Sequence, residues 1–481
     1  MTRTATIMIW AGLFALLTTQ SGFLCTGATQ GENNPDSPTT SQFGYHLSYG
    51  DIAVDPQTET IYLLVQSTST TPQGAIQNSI RSVLFAFDPD GGEHRFVADL
   101  TGLGDIRINF VADAIPLMGQ TRSNGGETLI VIDKATYQER QRKSLSGYYW
   151  GSRLSPSRRF LVVAENAERH VPLHLIDTKT LHTTVIPHDG DWLEAMWLHG
   201  RDTLLAVVFY HARQTARILM WDAETLVSSA YKLGADGCWD QPTLDVTLDD
   251  VQEDMWLSYT WVGVSPDDKT VVFPMRASDG TSKLVLLDVA SRGLRQVPNA
   301  RGPVAFTPDS STIVSYDFAG LWPFEPTGAS RLVLFDRSDL SREIVDVPNI
   351  DAPTYYVTRK GNFVVIAEHL TSDKLLIYDV DNGKMKTLAG TALDLDEFVS
   401  RSEVGEIWGI GGSTGLFCLD VFENTLDDVD LGYAPTHINI LPHRDLLVLF
   451  RRGDLAMRLV DPKTRQTVRL IDVPSTLEAT P

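Results

Sequence analysis

Nine times along the chain a short apolar run ends in an aspartate, and the spacing barely changes. The residues are Asp88, Asp133, Asp177, Asp222, Asp288, Asp336, Asp379, Asp420 and Asp461. The steps between them are 45, 44, 45, 66, 48, 43, 41 and 41 residues. A period in the forties marks an array of supersecondary units, none of which buries its own apolar face alone. The runs themselves agree: VLFAFD, TLIVID, LHLID, ILMWD, LVLLD, LVLFD, LLIYD, LFCLD and MRLVD. Such an array overrides the usual division of a 481-residue chain into unrelated domains.

The unit that starts near Tyr148 reads most clearly. Residues 150–154 form a first strand, and Ser155-Pro156-Ser157-Arg158-Arg159 a turn. Residues 160–164 and 173–176 follow as the second and third strands, the third ending at Asp177. Asp177-Thr178-Lys179-Thr180 turns into a fourth strand over 183–186. Short β-rich runs broken by Pro, Asp, Ser and Gly are the mark of an antiparallel meander, and no helical period is sustained anywhere. The first turn recurs as Asp55-Pro56, Ser265-Pro266-Asp267-Asp268, Thr307-Pro308-Asp309 and Leu441-Pro442-His443. The second recurs as Asp222-Ala223-Glu224-Thr225, Asp379-Val380-Asp381-Asn382-Gly383 and Asp461-Pro462-Lys463-Thr464, its aspartate placed to cap the turn. Four strands per unit, closed into a ring, make an all-β fold: a single β-propeller of four-stranded antiparallel blades. Nine repeat units are counted, so eight or nine blades are expected, with unit two (residues 105–145) the least regular. An N-terminal strand that pairs with the last unit is one way to close such a ring.

On these turns the chain resembles the WD40-like, YVTN-type and TolB-like β-propeller repeat superfamily. Ser265-Pro266-Asp267-Asp268-Lys269 and the Asp-x-x-Thr turns carry the resemblance, over roughly residues 45–475. The full Gly-His to Trp-Asp signature is absent, and Trp221-Asp222 stands alone. The resemblance implies a fold and transfers no activity.

The first residues lie outside the repeats. Arg3 and the apolar stretch 7–17 suit an export signal, with Thr26-Gly27-Ala28 offering a cleavage point. The organisation expected is therefore an export signal at 1–28, a disordered polar linker at 29–43, the propeller at 44–475 and a tail at 476–481. Cys25 is a lipidation candidate, although Leu24 fills the position where a small residue suits a lipobox. Soluble export and a lipid-anchored form are the two alternatives, in the periplasm, the cell envelope or outside the cell. Cys238 and Cys418 fall in distant units and read as free thiols rather than a bridge. With 61 acidic against 40 basic residues the formal charge is −21, which argues against nucleic acid as a partner.

In a four-stranded blade the first-to-second and third-to-fourth turns share one face, here called the turn face. The second-to-third loops and the inter-blade connections share the other, the loop face. Three long segments read as loop-face insertions: residues 66–81, 235–254 and 318–330. Aromatics gather near the blade entries: Tyr148, Tyr149, Trp150, Trp192, Trp197, Trp256, Tyr259 and Trp261, with Trp239 and Trp322 inside the insertions. They serve either inter-blade packing or stacking on a ligand; Tyr149, Trp150, Trp192, Trp197, Trp239, Trp256 and Trp322 are the ligand-binding candidates.

No cofactor is expected from the residues. Asp245, Asp249, Asp250 and Glu253 are weak Ca²⁺ candidates against a solvated acidic surface. His170, His211 and His369 sit in loops that do not converge. Gly411-x-Ser413-x-Gly415 formally fits a nucleophile elbow but joins two strands. The reading favoured is an exported, non-catalytic propeller that binds a protein, peptide or glycan through its loop face. The alternatives are a propeller-scaffold enzyme, lactonase-like or quinoprotein-like, and a calcium-stabilised envelope protein. The enzyme would draw on Asp191, Glu194, Asp351, Asp394, Asp396, Glu397 and His437, all near blade entries.

Overall fold

The computed structural model describes residues 45–70, 76–91, 93–121, 127–145, 148–166, 173–180, 182–186, 190, 192–224, 244–249, 256–257, 263–276, 282–298, 300, 304–317, 331–347, 353–368, 374–389, 393–411, 415–451, 454 and 456–474. The chain from Tyr45 onward is one compact unit. It holds nine antiparallel sheets, each built from consecutive strands and arranged as the nine blades of a propeller ring. The blades span residues 45–99, 103–145, 148–186, 192–249, 256–298, 304–346, 353–389, 393–428 and 437–472. Within each blade the strands are called a to d in chain order. Blade 5 departs slightly, because its strand a is split into Trp256–Leu257 and Gly263–Val264, both paired with Thr270–Arg276. Blade 2 forms all four strands, with a register shift between Gly104 and Arg107.

Strands b and c are apolar on both faces because a blade lies against each. Strand b of blade 4, Thr203–Tyr210, is buried at every position. Its alternate residues belong to different cores, as the two-residue period of a strand requires. Leu205, Val207 and Phe209 pack with Val271, Phe273 and Met275 of blade 5. Leu204, Ala206, Val208 and Tyr210 pack with Phe160, Val162 and Leu175 of blade 3. Each Leu, Val, Phe or Met among them, fully buried, contributes roughly 1.5–3 kcal/mol. Strand d is the outermost and is mostly exposed; Gln466–Asp472 in blade 9 buries only Ile471.

Three expectations are corrected here. The segment 66–81 is not a loop: strands b (Ile61–Thr70) and c (Ile76–Phe87) of blade 1 pair from Ile61↔Phe87 out to Thr70↔Ile76. Strand a, Tyr45–Val54, follows them out to Tyr45↔Ser69. The segment 235–254 does not lie between blades 4 and 5, because Leu244–Asp249 is strand d of blade 4, paired with Thr215–Asp222. Strand c therefore ends at Asp222 on the turn face, and the blade resumes at Leu244, so residues 235–254 do not form an inter-blade insertion. Finally, among the described residues no strand is exchanged at ring closure: strands of blade 1 pair only among themselves, as do those of blade 9.

Candidate functional site: two unlike faces

The turn face is built by a small repeated chemistry. At five of the a–b turns a buried oxygen holds the backbone of the hairpin. Ser265 Oγ, fully buried, accepts from the N–H of Thr270 (2.9 Å) and Lys269 (3.2 Å) and donates to Asp267 Oδ1 (2.6 Å). Thr307 Oγ1 accepts from the Thr312 N–H (3.0 Å) and donates to Asp309 Oδ1 (2.7 Å). Ser155 and Thr358 take the same position in blades 3 and 7, and Asp55 does so in blade 1. These residues are Ser, Thr or Asp because only a short polar side chain reaches back to its own turn.

At the c–d turns the repeated aspartates cap the backbone, as the sequence pattern predicts. Asp133 Oδ1 accepts from the N–H of Ala135 (2.9 Å) and Thr136 (2.8 Å). Asp88, Asp177, Asp288, Asp336, Asp379, Asp420 and Asp461 each accept from a backbone N–H two or three residues on. Asp222, the last residue of strand c in blade 4, holds the corresponding place in the repeat. Hydrogen bonding lowers the titration of several turn carboxylates, Asp288, Asp336 and Asp461 among them. The Arg140 guanidinium, with the Thr136 N–H, holds Asp133 down at about 2. Burial pushes the Asp267 carboxyl up, but hydrogen bonds from Ser265, Arg337 and the Lys269 N–H outweigh it and hold it at about 2.

The same turns clasp neighbouring blades. Asp202 of blade 4 accepts from the Ser157 N–H of blade 3 (3.0 Å). Asp268 of blade 5 accepts from the N–H groups of His199 and Gly200 of blade 4, both at 2.6 Å. Ser310 Oγ of blade 6 accepts from the Asp267 N–H of blade 5 (3.2 Å). Glu403 of blade 8 accepts from Lys360 of blade 7 (2.9 Å), and Asp445 of blade 9 from Arg401 of blade 8 (2.7 Å). Glu59 of blade 1 accepts from the N–H groups of His443 and Arg444 of blade 9. In each of these pairs the acceptor belongs to the following blade. Glu59, Asp268, Ser310 and Asp445 all have left-handed backbone, with φ of 59, 57, 64 and 54°. That tight bend aims the side chain at the preceding turn. Asp309–Asn362 and Asp55–Lys134 join blades 6–7 and 1–2 in the reverse sense.

The carboxylates of the c–d turn in blade 7 are engaged in the same way. Asp379 accepts from Asn382, and Asp381 from the Asn362 amide at 2.8 Å. No group of three metal-ligating side chains occurs among the described residues. Gly411 and Gly415 stand between the paired strands b and c of blade 8, the Gly411 N–H donating to the Gly415 carbonyl, so the motif joins two strands.

Of the seven aromatic candidates, Trp197 has a described side chain, and it is packed rather than presented. It lies 8% exposed in the core with Phe160 and Val162 of blade 3, in one cross-strand row with Leu204 and Trp221. Tyr149, Trp150, Trp192 and Trp256 are placed by register alone. Tyr149 pairs with Glu165, Trp192 with Phe209 and Trp256 with Arg276, so each sits at the loop-face end of a strand a. Trp150 falls beside a register shift in the same stretch. Trp239 and Trp322 lie outside the described residues, as do Asp250, Glu253, Cys25 and Cys238. Asp245 and Asp249 are at positions opposite Leu219 and Thr215 in strand d of blade 4. Cys418 is a free, buried thiol, pushed up to about 12 chiefly by burial. Among the enzyme candidates, Asp394 pairs with Ile410, Glu194 with Val207, and His437 stacks on Phe450 with centroids 6.4 Å apart. Asp191 and Asp351 lie outside the described residues.

A groove that no sequence feature announces runs along the rim between blades 1 and 2, with a volume of about 560 Å³. Arg95, Phe96 and Asp99 of strand d in blade 1 form one wall, and Thr136, Tyr137 and Glu139 of the c–d turn in blade 2 the other.

No family model and no curated protein matches the chain. Solved structures do resemble it. Dipeptidyl peptidase 4 of Porphyromonas gingivalis is 10% identical, with a TM-score of 0.49 over 78% of this chain and 60% of that one. The Dos1 propeller is 11% identical, with a TM-score of 0.45 over 85% of this chain and 91% of that one. The WD40 domain of Toxoplasma gondii coronin is 10% identical, with a TM-score of 0.40 over 64% and 78%. At these identities the likeness is one of fold, already evident from the strand order. No helix among the described residues is long and apolar enough to cross a membrane.

Proposed function

We propose that the chain is an exported, non-catalytic propeller that binds a protein, peptide or glycan through its loop face. One observation carries this reading: the carboxylates and hydroxyls of the turn face are engaged in capping their own turns and clasping neighbouring blades. The side chains best suited to a partner are then those at the opposite ends of the a strands. Tyr149, Trp150, Trp192 and Trp256 belong to three consecutive blades and share that end. Large aromatics contribute most to binding when they are clustered and become desolvated on contact.

The purified ring, screened by intrinsic tryptophan fluorescence against peptide and glycan panels, tests this. For a ligand so found, Trp150→Ala, Trp192→Ala and Trp256→Ala should weaken binding by roughly 30-fold for a hot-spot residue. Unchanged affinity in all three folded variants would sink the loop-face reading. The export signal at 1–28 and the alternative anchor at Cys25 are separated by the mature N-terminus. Cleavage after Ala28 supports soluble export, and a lipid on Cys25 supports the anchor.

A further inference from the structure

At eight blade boundaries the chain runs on from one blade into the next. At the ninth, between blade 9 and blade 1, it does not, and among the described residues no strand crosses. Closure there rests on side chains. One layer is apolar: Ile61, Leu63, Val65 and Phe85 of blade 1 pack with Val448, Phe450, Met457 and Leu459 of blade 9. The second is a polar catch on the turn face. The Glu59 side chain, 5% exposed, accepts from the His443 N–H, the Arg444 N–H (3.1 Å) and Arg444 Nε (2.8 Å). Arg444 also reaches Asp90 with both terminal nitrogens, at 2.7 and 2.8 Å. Arg469 donates to the Pro89 carbonyl, and Asn439 Nδ2 to the Ile52 carbonyl (3.3 Å).

We propose that the seam between blades 9 and 1 is a clasp, the place where the ring opens as a unit, and that the Glu59–Arg444–Asp90 set is its catch. Opening a boundary elsewhere leaves two blades tethered by their connection, so they reclose locally. Opening this one frees two whole blade faces at once, and the catch sets how often that happens. A buried carboxylate that loses its partners is costly, so the catch is either fully made or fully broken. The seam thereby acts as a two-state element, of the kind that sub-global exchange detects.

Hydrogen exchange followed by mass spectrometry on the full chain tests this. In the parent protein, amides of residues 45–54 and 456–472 should exchange through an opening more frequent than that of blades 4 and 5. Glu59→Gln removes the charge that holds Arg444 and should raise exchange in both segments by about tenfold or more, as expected for loss of a charge-assisted hydrogen bond. Asp268→Asn, which breaks the equivalent contacts to His199 and Gly200, is the tethered control; its effect should stay within blades 4 and 5. Equal protection of blades 1, 4, 5 and 9 in the parent would overturn the proposal, whether or not the variants fold. So would a Glu59→Gln effect confined to blade 1, or an Asp268→Asn effect that spreads to blades 1 and 9.

Discussion

Removing one buried hydroxyl measures how much each turn contributes to the ring. Ser265→Ala takes away the acceptor of the Thr270 N–H at 2.9 Å and a donor to Asp267. The site is fully buried, so water does not replace the lost partner. An unsatisfied buried N–H costs about 1–3 kcal/mol. Unfolding entropy is roughly 2.1 cal/mol/K per residue, or roughly 0.9 kcal/mol/K over a ring of about 430 residues. A loss of about 2 kcal/mol then lowers the melting temperature by about 2 °C. Ser265→Thr keeps both functions, as Thr307 does in blade 6, and should melt close to the parent. Differential scanning calorimetry of the three proteins decides the matter. An alanine variant within about half a degree of the parent, or a threonine variant as damaged as alanine, would refute the assignment of this hydroxyl.

Trp197→Ala should cost about 3–5 kcal/mol, because it empties a site packed between blades 3 and 4, and should leave ligand affinity unchanged; a variant that melts like the parent but loses ligand would return Trp197 to the binding face. Asp133 and Asp267 both titrate near 2 in the folded ring, below the unfolded value of about 3.9. A depressed folded value means that their stabilisation is present above about pH 4 and lost as pH falls from about 4 towards 2. Asp267→Asn should therefore flatten the acid limb of a melting-temperature profile, and an unchanged limb would contradict the hydrogen-bonded, ionised state. Gly405 has φ of +75°, and a methyl group there would run into the Phe422 ring. Gly405→Ala should destabilise by about 1–3 kcal/mol, partly recovered in Gly405→Ala/Phe422→Ala; full recovery would mean that the backbone angle costs nothing.

What the sequence made legible was local chemistry. The capped aspartates and the Ser-Pro-Asp turns are decided within five residues of chain, and their strands follow at either side. Blade 3 was traceable almost strand for strand for that reason, with Tyr148–Leu154, Phe160–Asn166, Leu173–Asp177 and Thr183–Ile186 observed. The displaced strand of blade 4 was harder, because Leu-Asp-Val-Thr-Leu-Asp at 244–249 presents its acids first. Its alternation of Leu244, Val246 and Leu248 with Asp245, Thr247 and Asp249 was the signal that would have found it. The same two-residue period separates Trp197 from a ligand role, since its row partners Leu204 and Trp221 are core residues. Ring closure left no trace in the sequence, for Glu59 and Arg444 are hundreds of residues apart and each resembles an ordinary surface charge.

The clasps made at left-handed turn residues share one direction. A blade reaches back to its predecessor with a side chain from its own turn, at Glu59, Asp268, Ser310 and Asp445 alike. A unit copied in tandem would arrive already carrying the group its forerunner needs and offering the group its successor seeks. Growth by duplication then requires no new recognition between units, and the number of blades becomes a question of wedge angle alone. A ring of nine is, in this light, a count that gene duplication can reach and geometry can close.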